Sequence, residues 1–139
     1  MRTAVIFFAG KSRNKILNIS RALARGIEKQ GHQVDIIDGD RDVNTKLTIY
    51  QYIAIGTEAV SSFGGKIPEK ITNFLSSAGM VSGKRSFAFV LKSTMGTQKA
   101  LSRLMKSMEA EGMYLKYSEI LNSDAEAEEV GKRLHIIQK

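Results

Sequence analysis

The chain of 139 residues contains no cysteine and no tryptophan, and only one proline, Pro68. Without cysteine there can be no disulfide framework, thiolate zinc site, iron–sulfur cluster or cysteine nucleophile. The apolar runs are strand-sized, far short of the ~20 residues that a membrane span requires. The opening residues lack the long apolar stretch and small-residue cleavage site of a secretory leader, so a cytoplasmic location is expected. What is present is ordinary for a soluble globular protein: 42% hydrophobic and 25% charged residues. This length suits one domain, residues 1–139, able to bury roughly two-thirds of its unfolded surface. Lysine and arginine outnumber aspartate and glutamate by 21 to 14, a formal charge of +7. That surplus raises the question of an anionic partner.

Two kinds of segment alternate along the chain. Residues 4–9 are continuously apolar and end at Gly10, as in a strand buried on both faces. Residues 34–37, 52–56 and 87–91 repeat the pattern, and 114–121 form a weaker fifth. From 14 to 30 the period lengthens, with Ile16, Ile19, Leu23 and Ile27 on one helical face before Gly31. A second helix is expected near Pro68, a first-turn residue, with Ile71, Phe74 and Leu75. A third carries Ala100, Leu101, Leu104, Met105 and Met108 up to Gly112. The last holds Val130, Leu134 and Ile137 and opens with Ser123 and Glu126 at capping-box spacing. The polar stretch 39–48 reads as a loop or a short helix. Five strand–helix alternations predict an α/β fold: a three-layer, doubly wound parallel sheet of order 2-1-3-4-5.

In such sheets a ligand lies beyond the carboxyl ends of the strands, where strand order reverses. Three segments fall there: residues 10–15, 57–66 and 92–97, all rich in glycine, serine and threonine. The first, Gly10-Lys11-Ser12-Arg13-Asn14-Lys15, opens a helix whose unpaired N–H groups favour an anion, and it adds three cationic side chains. It reads as a phosphate cradle, or more plainly as a helix N-cap at Ser12. In the second, Phe63 is the only aromatic and would cover a planar ligand or fold inward. The third would bond a ligand edge, or serve as a βα turn with Thr97 capping the next helix.

In these residues the chain resembles the flavodoxin-like family, short-chain type, over essentially its whole length. Residues 5–15 look like that family's first strand and FMN-phosphate loop, usually Ser/Thr-x-Thr-Gly-Asn-Thr. Here Gly10 takes the first hydroxyl position, Ser12 the second, Arg13 the glycine, Asn14 the asparagine and Lys15 the final threonine. Residues 52–57, followed by Gly64, Gly65, Ile67 and Pro68, are similar to the third strand and first flavin-flanking loop. The segment 87–91 with Gly96, Ala100 and Leu101 resembles the fourth strand and its helix. The resemblance implies FMN as cofactor and electron transfer or flavin-dependent reduction as the activity. Gly10, Lys11, Ser12, Arg13, Asn14 and Lys15 would hold the phosphate. Glu58, Ala59, Phe63 and Gly64 would flank the ring on one side, and Ser93, Thr94, Met95 and Gly96 on the other.

The sequence also departs from that pattern. Two hydroxyl positions are lost, Arg13 replaces a glycine, and the chain is basic where flavodoxins that carry electrons are typically acidic. A second expectation follows: a flavodoxin-like binding module without flavin, docking an anionic ligand or an acidic protein partner through its basic rim. Other chemistries lack their residues. A receiver domain needs an aspartate where Gly56-Thr57 stands, and a dinucleotide fingerprint needs more than Gly10. His32 and His135 read as structural or surface residues, and Asp38, Asp40 and Asp42 as an acidic turn. Nucleic acid is disfavoured, since no aromatic interleaving accompanies the cations. Residues 1–34 hold seven cations against Glu28, and 84–106 hold six against no acid, so the surplus partly rims the expected site.

Overall fold

Runs of apolar residues with no polar alternation need cover on both faces, and the sheet supplies it. The computed structural model describes residues 1–60 and 65–136. Its strands are β1 (Arg2–Phe7), β2 (Gln33–Asp38), β3 (Tyr52–Thr57), β4 (Arg85–Leu91) and β5 (Tyr114–Leu121). They pair in parallel in the order β2-β1-β3-β4-β5, as the alternation predicts. The helices are α1 (Arg13–Glu28), α2 (Lys70–Ser76), α3 (Thr97–Ala110) and α4 (Asp124–Arg133).

Along β1 and the residue after it, successive side chains enter opposite cores. Ala4, Ile6 and Phe8 join Ile71 and Phe74 of α2 and Leu104 and Met108 of α3. Val5 and Phe7 join Ile16, Leu23 and Ile27 of α1 and Ala127 and Val130 of α4. Each such side chain, fully buried, contributes about 1.5–3 kcal/mol.

The two helices of the second face meet through glycine. A Cβ at Gly26 would lie 2.1 Å from the Glu128 carbonyl oxygen, and one at Gly131 would lie 2.3 Å from that of Leu23. Their backbones therefore touch where any side chain would hold them apart. Beside this seam the Gln30 amide donates to the carbonyls of Gly131 (2.7 Å) and Leu134 (3.0 Å).

Two local expectations are corrected, and a third, left between a loop and a short helix, is resolved. The last helix stops at Arg133 and does not carry Leu134 on a helical face. Leu134 has φ −65 and ψ 137, and its carbonyl turns to Gln30. Ile137, expected on the same face, lies outside the described residues. Pro68 precedes α2, whose N-cap is Glu69, and so stands one turn position before the helix. The polar stretch 39–48 is built of turns, yet it delivers Leu47, fully buried, to the α2–α3 core, and Tyr50 follows it. Lys84 pins this segment by donating to the carbonyls of Leu47, Thr48 and Tyr50. Of the predicted capping box the hydroxyl half forms, the Ser123 hydroxyl accepting from the Glu126 amide at 3.2 Å, while the Glu126 carboxylate accepts from the Asn122 amide, one residue before the N-cap. Among the described residues, no helix is long and apolar enough to cross a membrane.

Candidate functional site

Strand order reverses at β1, which lies between β2 and β3, so the crevice beyond Phe7 and Thr57 is where this architecture accommodates a ligand. The sheet continues one step past β1, where the Phe8 amide donates to Gly56 at 3.0 Å, and the Thr57 hydroxyl donates to the Phe8 carbonyl. The chain then turns into α1, leaving the N–H groups of its first residues pointing outward.

The two amides just before that turn are already engaged. The amides of Lys11 and Ser12 donate to the Glu58 carboxylate at 2.8 and 3.0 Å, and Ser12 reaches both carboxylate oxygens. Glu58 is 7% exposed, although Lys11 and Ser12 are exposed. It follows β3 directly, so the strand itself carries its carboxylate to the α1 N-terminus. Gly10 borders the same group: a Cβ there would meet Glu58 Cγ at 3.0 Å. Ser12 occupies the N-cap position and its hydroxyl makes no capping bond, while Glu58 takes the Lys11 and Ser12 amides, which lie before the N–H groups that a capping hydroxyl would satisfy.

The basic side chains near the cradle are largely spent on acids. Arg13 bridges Asp38 and Asp40 at the end of β2, with 3.1 Å to Asp40, and its guanidinium lies 5.6 Å from the Phe7 ring centroid. Lys70 pairs with Asp40 and donates to the Ala9 carbonyl. Asp40 also accepts from the Ala9 amide at 2.9 Å. The acidic turn after β2 thus folds over the first loop. The expectation that Arg13 belongs to a free basic rim is corrected on this point: its charge is answered within the chain. Lys11 and Lys15 stay exposed, Lys15 reaching Asn122.

The other expected positions are only partly gathered. Asn14 is exposed on the first turn of α1, and Ala59 is half-buried against the α2–α3 core. Phe63 and Gly64 lie outside the described residues. The third loop closes on itself: the Ser93 amide donates to the Thr97 hydroxyl, and the two hydroxyls lie 2.7 Å apart. Thr94 and Met95 are exposed, Met95 to 51%. Gly96, with φ 76, is the N-cap of α3, a place expected for Thr97. Gly65 brings the second loop against the third, since a Cβ there would sit 2.4 Å from the Gly96 oxygen. His32 is buried beside the terminal amine, and burial lowers its pKa, with the amine adding to the effect. His135 is exposed. Among the described residues, no group of three or more histidines, aspartates and glutamates is placed to hold a metal.

No protein-family model matches the chain, and no curated protein does. Solved structures do. Oxidised flavodoxin 1 from Bacillus cereus superposes with a TM-score of 0.71 at 18% identity, over 93% of this chain and 94% of that one. A flavodoxin from the domain Archaea gives 0.70 at 17%, over 95% and 94%. A short-chain flavodoxin associated with a non-canonical PDU bacterial microcompartment gives 0.68 at 12%, over 95% and 93%. The chain has the flavodoxin-like fold.

A phosphate at the 11–15 backbone would compete with Glu58 for the Lys11 and Ser12 amides, and would stand beside that carboxylate and Asp40 with Arg13 and Lys70 already paired. The resemblance implies Glu58 beside the ring; the structure sets its carboxylate against the first loop, a contact that no local sequence pattern signals.

Proposed function

We propose that this protein is a flavodoxin-like binding module that works without a flavin and docks an acidic protein partner at the carboxyl edge of its sheet. The Glu58 carboxylate on the Lys11 and Ser12 amides carries this reading. An incoming phosphate would have to displace Glu58 from the Lys11 and Ser12 amides and leave that carboxylate to find new partners. The exposed Lys11, Lys15, Lys92 and Lys99 on the surrounding segments are left to steer an acidic surface, with an association that weakens as salt rises.

FMN-dependent electron transfer or reduction is the second reading, supported by the likeness in fold to flavodoxins and by the juxtaposition of the second and third loops at Gly65 and Gly96. In it Ser12, Asn14 and the 11–15 backbone hold the phosphate after Glu58 swings aside, and the 58–65 and 93–97 segments flank the ring. The test is direct. Purified protein is mixed with excess FMN and passed through gel filtration. Colourless protein is expected. Flavin absorbance that travels with the protein would overturn the first reading and establish the second.

A further inference from the structure

The charge surplus has a second location, at the opposite end of the sheet. Tyr52 and Arg85 begin β3 and β4 there, and Lys116 and Tyr117 lie in the first half of β5. Because α4 ends at Arg133 and Leu134 is extended, α4 does not continue over this part of β5. A groove of about 310 Å³ is left between Lys116 and Tyr117 on one side and Arg133 and Leu134 on the other. It continues into a neighbouring depression bordered by Arg85 and Lys132. No aspartate or glutamate is among the residues lining either part.

Tyr117, at the side of the groove, is the exposed end of a stack whose other rings are buried. Phe89 stacks on Phe87 (5.8 Å, 20°) and Phe87 on Tyr117 (5.8 Å, 19°). The Tyr117 hydroxyl donates to Glu119 at 2.7 Å, so the outermost ring is fixed at both its face and its tip while remaining 51% exposed. A bulge in the β4–β5 register sets Tyr117 opposite Phe87 and leaves Lys116 unpaired. Lys132 is answered by Glu129. Among the described residues, Arg85, Lys116 and Arg133 have no carboxylate within ion-pair distance.

A blunted sheet edge explains a bulge with a lysine on it, and the α4 C-terminus explains Lys132 and Arg133. Neither explains a concavity with a preorganised ring at its side and two further cations supplied by β4 and β5. We propose that this groove binds a small planar anion, a nucleoside monophosphate in chemical class. The base would stack on the outer face of Tyr117, and the phosphate would meet the Arg133 guanidinium together with Arg85 and Lys116. The bulge and Lys116 themselves disfavour an added strand, so a small ligand and not a peptide edge is the occupant. The inference does not depend on what the carboxyl edge of the sheet binds.

Adenosine 5′-monophosphate, adenosine and inorganic phosphate are titrated separately into the full-length, ¹⁵N-labelled protein. Saturable amide shifts confined to residues around Lys116, Tyr117 and Arg133 are expected with the nucleotide, at an affinity about tenfold or more above either fragment. Tyr117→Ala and Arg133→Ala should each weaken binding by about tenfold, and Tyr117→Phe, which keeps the ring, should retain it. Lys11→Ala, at the other end of the sheet, should change nothing. Shifts that do not saturate at millimolar nucleotide, shifts centred on residues 10–15, or equal binding by Tyr117→Ala would each overturn the proposal.

Discussion

Replacing Glu58 by alanine removes the one group that joins β3 to the amides of Lys11 and Ser12. Three short contacts are lost, all between one carboxylate and the two N–H groups of Lys11 and Ser12, immediately before a sixteen-residue helix. Hydrogen bonds to a charged group are worth about 1.5–3 kcal/mol in net stability, and a charge at a helix N-terminus about 0.3–1 kcal/mol. Because Lys11 and Ser12 are exposed, water replaces part of what is removed, which places the cost near 1–3 kcal/mol. At roughly 3 °C per kcal/mol for a domain of this size, the midpoint of thermal unfolding falls by about 3–9 °C. The variant should also acquire what the parent lacks, an anion site. Phosphate at ten times its dissociation constant would restore about 1.4 kcal/mol to the variant and nothing to the parent. Circular dichroism melts of both proteins, in chloride and in phosphate at matched ionic strength, measure the two effects together. Equal melting points in chloride, or a phosphate response of the same size in both proteins, would refute the assignment of Glu58 to the cradle.

Two further predictions concern the frame around the site. Gly131→Ala places a methyl group 2.3 Å from the Leu23 carbonyl oxygen, with backbone rather than a pliable side chain in the way. The helices must part, costing about 1–3 kcal/mol, read as a lower denaturant midpoint at unchanged slope; an unchanged midpoint would refute the contact. Tyr50 donates to Asp35 at 2.8 Å, and burial, followed by that bond and the Asp35 charge, pushes its pKa up to about 12. The neutral phenol is favoured in the fold, so its contribution is whole below pH 10 and is lost as pH rises from 10 to 12. Wild type should lose stability across that window more steeply than Tyr50→Phe, and parallel denaturation curves would contradict this.

The sheet was readable because parallel strands covered on both faces need no polar alternation: Val5, Ile6, Phe7 and Phe8 are apolar in sequence for the same reason that they are buried in space. Strand order followed from connection rules that hold for any such chain. The site was less readable because its chemistry depends on pairs distant in sequence. Arg13 looks like a phosphate ligand until Asp38 and Asp40 are placed beside it, 25 and 27 residues on. Glu58 looks like a loop acid until β3 delivers it to Lys11, 47 residues earlier. The end of α4 was misplaced for a similar reason. Leu134 keeps helical spacing and is buried, but Gln30, just beyond the end of α1, takes the carbonyl that would have continued the ladder.

The bare backbone seam between Gly26 and Gly131 has a consequence for how the molecule comes into being. During synthesis α1 can lie against β1 as soon as both have emerged, yet its second flank has no partner until residues some hundred positions later leave the ribosome. For that interval Leu23 and Ile27 have only the sheet for cover, and the glycine beside them presents unshielded main chain. Docking of α4 is therefore the late, closing event of folding, and a nascent chain truncated before residue 124 would expose the surface on which misassembly starts.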